Sequence, residues 1–365
     1  MYSFFNFRCS SWLIIVMLTF SSCVAQADNG KRKIIIDQDA LGPAGSNLKS
    51  VLMLLNAPNV DVLGITVSSG DGWRDENVAS VLRLLEISGR TDIGVYPGAV
   101  FPLLNTAARS RRWQALYGPL VYEGAWSRNI PGKHPDTPFE VPAPPQGLPK
   151  IKASPIPASQ FMVSMVQRYP GEVTIWSGGP MTNVAMAARL DENFARTAKE
   201  LVFMGGSFSP HPSDNDFAEE YRLNPRLEFN MRFDPEAASL VLHEPWRKIT
   251  QIPVDPSTKT LWATADIAEV ARGGSALEKY IGKYDQSLPM WDEIAAAVWL
   301  NPQMVKHQTR MLVDVDTSFT AGYGNTLSWK IGAGPGLGEQ PVHVITDVDI
   351  SALVGMVKKS LSDRP

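Results

Sequence analysis

Lys33-Ile34-Ile35-Ile36-Asp37-Gln38-Asp39 leads directly into Ala40-Leu41-Gly42-Pro43-Ala44-Gly45-Ser46-Asn47. The β-branched apolar run reads as a buried strand. The Gly/Pro loop that follows is neither helix nor strand. Side chains alternate along a strand, so Asp37 and Asp39 fall on the same side. Two acids at one strand end repel unless a positive charge separates them, and a hard cation with oxygen ligands, Ca²⁺ or Mg²⁺, answers that need. Open α/β sheets bind ligands at the carboxyl ends of their strands, which makes this strand end the expected site.

Outward from this stretch, strands and helices alternate. Leu48 to Leu55 has helical apolar spacing, Val60 to Val67 reads as a strand, Glu76 to Ser88 as a helix and Ile93 to Tyr96 as a short strand. The pattern resumes with helix Gln160 to Arg168, strand Val173 to Trp176, helix Thr182 to Leu190 and strand Leu201 to Met204. Helix Pro235 to Leu242 and strand Ile249 to Val254 follow. This alternation predicts a modified doubly wound, mostly parallel α/β sheet flanked by helices. Between residues 103 and 157 it fails. Pro131 to Pro155 alone holds eight prolines, and a stretch this long is expected to be an irregular insertion over the site. Residues 261 to 306 return to helix, and 310 to 349 read as strands and turns. No internal repeat is visible, so residues 28 to 365 form one expected domain.

Residues 1–27 carry the pattern of a secretory signal: Arg8, an apolar run from Trp12 to Phe20, and Ala25-Gln26-Ala27 as a cleavage site. Export to the periplasm or the exterior is the expectation. The alternative is a lipoprotein tethered to the membrane at Cys23, since Phe20-Ser21-Ser22-Cys23 resembles a lipobox. Both cysteines, Cys9 and Cys23, lie in this segment. Cleavage after Ala27 excludes disulfides, thiolate metal sites and cysteine nucleophiles from the mature domain. A net charge of −3 with 19% charged residues gives no basic surface for a nucleic acid polymer. A homo-oligomer is expected.

Three more strand ends carry glycine: Ser69-Gly70-Asp71-Gly72-Trp73, Ser177-Gly178-Gly179-Pro180-Met181-Thr182-Asn183 and Met204-Gly205-Gly206-Ser207. Each alone is a tight turn. Their recurrence at one end of the sheet lets backbone approach a ligand closely.

The chain resembles the inosine/uridine-preferring nucleoside hydrolase family. The resemblance runs from about Lys33 to about Pro302, with the Pro-rich stretch as the main gap. It is carried by Ile34 to Asp39, Leu63 to Val67, Leu82 to Glu86, Gly179 to Ala185, Val202 to Gly206, Glu228-Phe229-Asn230 with Asp234 to Ala238, and Trp291-Asp292. Their order and spacing argue against chance similarity. The resemblance implies hydrolysis of the N-glycosidic bond of ribonucleosides with a bound Ca²⁺, Mg²⁺ being the lesser candidate. By position, Asp39 is the implied base and metal ligand and Asp37 its neighbour in the metal motif. Asp292 is the distant metal aspartate, and a backbone carbonyl in Met181-Thr182 the remaining protein ligand. Glu228 and Asn230 match the pair that holds the ribose 5′ hydroxyl, with Asn224 a looser candidate. Asp71 lies near a ribose-contacting position.

Two departures stand out. The family motif D-x-D-x-x-x-D-D ends in a second acidic pair, whereas here the loop is three residues longer and the alignable pair is Ser46-Asn47. Two readings remain open: a plain helix N-cap, or a cap in which the Asn47 oxygen also serves the metal. The second departure is Trp291, where many members have a histidine acid. The purine-specific branch also has Trp there and stacks the base on it, so Trp291 is either a core aromatic or a wall of the site favouring purines. Trp73 is a candidate for the opposite wall. His134, His211, His243, His307 and His343 make no metal-type pair, and Asp214 and Asp216 read as solvated. The rival classes are a ribosyl- or nucleoside-binding protein that has lost hydrolysis, and a hydrolase of another ribosyl or glycosyl substrate.

Overall fold

The computed structural model describes Met1 and residues 30–127, 137–210 and 224–362. The signal-like segment, Cys23, His134, His211, Asp214 and Asp216 lie outside the described residues. Lys31–Pro365 is one compact unit.

Six strands run parallel in the order β3-β2-β1-β4-β5-β6. They are β1 (Arg32–Gln38), β2 (Val60–Val67), β3 (Val95–Pro97), β4 (Val173–Ser177), β5 (Glu200–Met204) and β6 (Ile249–Ile252). The connecting helices are α1 (Ser46–Leu55), α2 (Arg74–Ser88), α3 (Ala107–Tyr117), α4 (Ala158–Arg168), α5 (Thr182–Leu190) and α6 (Phe194–Thr197), then α7 (Phe229–Phe233) and α8 (Pro235–His243). After β6 come α9 (Val254–Ser257), α10 (Thr264–Ala271), α11 (Ala276–Tyr284) and α12 (Asp292–Leu300). The tail, expected as strands and turns, is part of the same sheet. There β9 (Pro341–Val348) pairs parallel with β6, while β7 (Val305–Val315) and β8 (Thr326–Trp329) add antiparallel strands, before a last helix α13 (Ile350–Ser362).

β1 is buried on both faces, as central parallel strands are. Ile34 and Ile36 join the core formed with α1, α2, α12 and α13, and Ile35 the core formed with α4, α5 and α8. Strand order reverses at β1, between β2 and β4, and such reversals open the crevice in which doubly wound sheets bind ligands. The irregular stretch proves partly ordered. Its described residues include α3, capped by the Thr106 hydroxyl, and a 3₁₀ turn at Gly124–Trp126.

The lengthened loop after β1 is tied down from outside the sheet. The Lys49 ammonium of α1 is buried against Asp285 (3.0 Å) and Glu293 (3.4 Å). Asp285 also accepts from Trp262 Nε1 (2.8 Å) and, more distantly, from Gly45 N–H (3.4 Å). Ala44 N–H donates to the Tyr280 hydroxyl at 2.6 Å. Breaking such a buried ion system from one side strands the opposite charges. We expect Lys49→Met to cost about 3–5 kcal/mol in urea denaturation.

Candidate active site

The acids gather at the carboxyl ends of β1 and its neighbours. Asp37, the penultimate residue of β1, is buried and its oxygens are engaged. Oδ1 accepts from Thr66 Oγ1 of β2 (2.7 Å) and Asn183 Nδ2 of α5 (2.8 Å), and Oδ2 from Ser177 Oγ of β4 (3.4 Å). Burial lifts its carboxyl to about 7, against the pull of these donors. Asp37 thus binds three elements together at the strand end.

Asp39 stands just beyond the strand, buried between two glycines. A Cβ on Gly70 would collide with its Oδ2, and one on Gly179 would come within 2.8 Å of Oδ1. Its Oδ1 accepts from Asn47 Nδ2 (2.8 Å) and its Oδ2 from Asp71 N–H (2.8 Å). Burial, and then the charges of Asp71 and Asp292, push its carboxyl well above the ordinary range. Asp292 opens α12, and its Oδ2 accepts from Gln38 Nε2 at 3.0 Å. Burial raises it too, with Glu293, Asp71 and Glu228 adding repulsion. The acids expected from distant parts of the chain therefore share one electrostatic neighbourhood.

Glu228 and Asn230 form the far wall. Glu228 caps α7, accepting from the N–H groups of Asn230 (2.8 Å), Met231 (3.1 Å) and Gly206 (2.9 Å). Burial raises its carboxyl and these three donors partly offset that. Asn230 Nδ2 reaches the carbonyls of Gly178 (3.0 Å) and Met204 (3.2 Å), joining the ends of β4 and β5. Asn224 closes a turn, its carbonyl accepting from Leu227 N–H, and nothing described ties its side chain to the acids.

Three expected roles take a different form. Ser46 does not cap α1: Gly45, at φ 95°, holds that position without a side-chain bond. The Ser46 hydroxyl instead donates to Glu293 Oε2 and accepts from Asp292 N–H (3.1 Å) and Trp291 N–H (3.3 Å), capping α12 from across the crevice. Asn47 turns its nitrogen, rather than its oxygen, to Asp39. The Thr182 hydroxyl donates to Asp234 (2.6 Å), and the Met181 carbonyl accepts the first helical N–H of α5, from Ala185. Asp234 also holds Leu103 N–H (2.9 Å) at the root of the insertion.

Trp291 is half-buried against the α1–α12 core, whereas Trp73 belongs to a separate aromatic cluster with Trp126, Phe229 and Phe233. The insertion supplies what the strand-end reading missed. Tyr122 donates its hydroxyl to Asp71 Oδ1 at 2.8 Å, Ala125 N–H donates to the Gly70 carbonyl (2.8 Å), and Arg232 donates to the Tyr122 carbonyl. The trace in the sequence is Tyr122, Gly124 and Trp126 grouped in a loop without helical or strand periodicity.

A hard cation suits this donor set in kind, since buried carboxylates of like charge gather here. It is short in number: among the described residues no three His, Cys, Asp or Glu side chains group as a metal cage. Asp39 and Asp292 are the two carboxylates that would hold a cation here.

A doubly wound sheet with acids at its strand reversal defines an α/β enzyme site. The family model described as inosine-uridine preferring nucleoside hydrolase matches residues 34–355, well into the tail strands. The chain belongs to that family of N-glycosyl hydrolases. Among its relatives are a probable uridine nucleosidase 2 of Arabidopsis thaliana, 29% identical over 72% of this chain and 73% of that protein. The pyrimidine-specific ribonucleoside hydrolase RihB of Escherichia coli is 26% identical over 83% of this chain and 88% of that protein. Among solved structures, a purine-preferring ribonucleoside hydrolase from Gardnerella vaginalis superposes with a TM-score of 0.69 at 18% identity, covering 91% of this chain and 98% of that one, a likeness of fold.

Tyr122→Phe removes the donor that holds Asp71. We expect a loss of about 1 kcal/mol in chemical denaturation, and a crystal structure of the variant should show Asp71 turned from its present rotamer.

Proposed function

We propose that the chain hydrolyses the N-glycosidic bond of a ribonucleoside, releasing free base and ribose, with Ca²⁺ ahead of Mg²⁺ as the cation and purines ahead of pyrimidines. The observation that carries this reading is the convergence of Asp39, Asp71, Asp292 and the Glu228–Asn230 pair on one crevice from four separate segments. Asp39 and Asp292 would hold the cation, which when bound lowers the pKa of a coordinated water. Asp39 is placed to take the proton of a water that attacks the anomeric carbon, and its raised proton affinity suits it as an acceptor. Asp71, held by Tyr122, is placed to accept from a ribose hydroxyl. Asn230 and Glu228 line the 5′ side. The leaving base carries away the bonding pair and takes its proton from solvent.

The half-buried Trp291, directly before Asp292, offers an aromatic face beside the site and supports the purine preference. Names among the relatives point both ways, to uridine and to purines, so inosine and uridine are the informative pair. A rival reading, nucleoside binding without hydrolysis, draws on the amide that faces Asp39 in place of a carboxylate. Export through residues 1–27 completes the proposal, and N-terminal sequencing of the mature protein checks the cut after Ala27.

Purified mature protein should release free base from inosine faster than from uridine. Asp39→Ala should lower that rate at least about 10²-fold, and chelation should suppress it reversibly. Tight nucleoside binding with no base released would defeat hydrolysis.

A further inference from the structure

Gln38 lies on the opposite face of β1 from Asp37, fully buried and directed at α1 and α12. Its hydrogen bonds, and those of Asn47, have a direction decided by groups that cannot turn. The Asp39 backbone N–H donates to Gln38 Oε1 at 3.1 Å, and a peptide N–H cannot accept. Gln38 therefore presents its nitrogen on the other side, where Nε2 donates to Asp292 Oδ2 (3.0 Å) and Ser50 Oγ (3.3 Å). Ser50 is committed in turn, because its hydroxyl donates to the Asn47 carbonyl at 2.7 Å.

With Gln38 Oε1 an acceptor, the Asn47 atom facing it must be the nitrogen. Asn47 Nδ2 donates to Gln38 Oε1 (3.1 Å) and to Asp39 Oδ1 (2.8 Å). Turning Asn47 alone would set its oxygen against two others. Turning Gln38 alone would set its oxygen against the Asp292 carboxylate and leave Asp39 N–H facing an NH₂ group. The Asp39 N–H thus fixes Gln38, and Gln38 fixes Asn47.

We propose that Gln38 and Asn47 form an amide relay linking Asp39 to Asp292, and that its N–H donors compete with a divalent cation for those two carboxylates. The proposal rests on the reading above only in taking Asp39 and Asp292 as the cation's holders. Gln38 and Asn47 are positioning residues. They cross-link the acids with N–H donors, so the cluster stays assembled without the cation, and they lower the affinity with which the cation enters. In a chain with a carboxylate at position 47 the second donor would be gone.

Calorimetric titration of mature protein with Ca²⁺, after chelator treatment and dialysis, tests this. Gln38→Met keeps the side chain's length against Gly178, on which any Cβ would strike Gln38, and removes the relay. Asn47→Asp replaces a donor by a charged ligand. Each should bind Ca²⁺ at least about tenfold tighter than wild type, with circular dichroism reporting the fold. Ser50→Ala loosens the relay from a point outside the cation's reach and should give a smaller gain in the same direction, serving as the deciding arm if Gln38→Met does not fold. Unchanged or weaker binding in Gln38→Met, or in Ser50→Ala where that arm decides, overturns the relay. So does wild-type affinity equal to that of Asn47→Asp, or no binding in any form. Base release is measured on the same preparations. Its absence from every nucleoside counts against the hydrolase reading, while the calorimetry still decides the relay.

Discussion

One buried ammonium holds the two halves of the site in register. Lys49 sits on α1, whose start belongs to the rebuilt loop, and meets Asp285 and Glu293, which frame the entry to α12. Glu293 accepts from Ser46, and Ser46 in turn receives the N–H groups of Trp291 and Asp292. The position of Asp292 is thus set by a chain of contacts that begins at a lysine with less than a twentieth of its surface exposed. A charge so deeply placed tolerates no loose partner. The three extra loop residues are accommodated because their backbone N–H groups find Tyr280 and Asp285 outside the sheet.

The acids themselves follow a second rule. Four carboxylates of the crevice are buried, and each is met by donors: Thr66, Asn183 and Ser177 for Asp37, Asn47 and Asp71 N–H for Asp39, Gln38 for Asp292 and three backbone N–H groups for Glu228. The donors soften the cost of burial without removing it, which is why all four remain raised. Concentrated, partly compensated negative charge at a strand reversal is the physical form of the site.

Much of this was legible beforehand. β2 and α5 lie where apolar spacing put them, because parallel strands and their crossover helices are nearly all core and their patterns are undiluted. Asp37 and Asp39 were readable from a strand end, and Glu228 and Asn230 only through the family resemblance. What stayed hidden depends on partners far apart in sequence. Lys49 and Asp285 are separated by 236 residues, and Tyr122 and Asp71 by 51. A lone lysine in an amphipathic helix reads as solvated, and a tyrosine in an irregular loop carries no periodicity. The orientation of Asn47 was equally invisible, since it follows from a backbone N–H and a glutamine whose neighbours only the fold supplies.

The alternation along β1 has a further meaning for how such a site can change over generations. Consecutive residues of this strand report to opposite layers of helices: Asp37 to the α5 side, Gln38 to the α1 and α12 side. One layer keeps the acids anchored and the other adjusts what bridges them. Variation at position 38 or in the loop to Asn47 can therefore retune the chemistry without disturbing the anchor, while the insertion bearing Tyr122 is replaced or reshaped from above. Three separately mutable parts meet at a single strand end, which gives a lineage built on this sheet independent routes to new substrates.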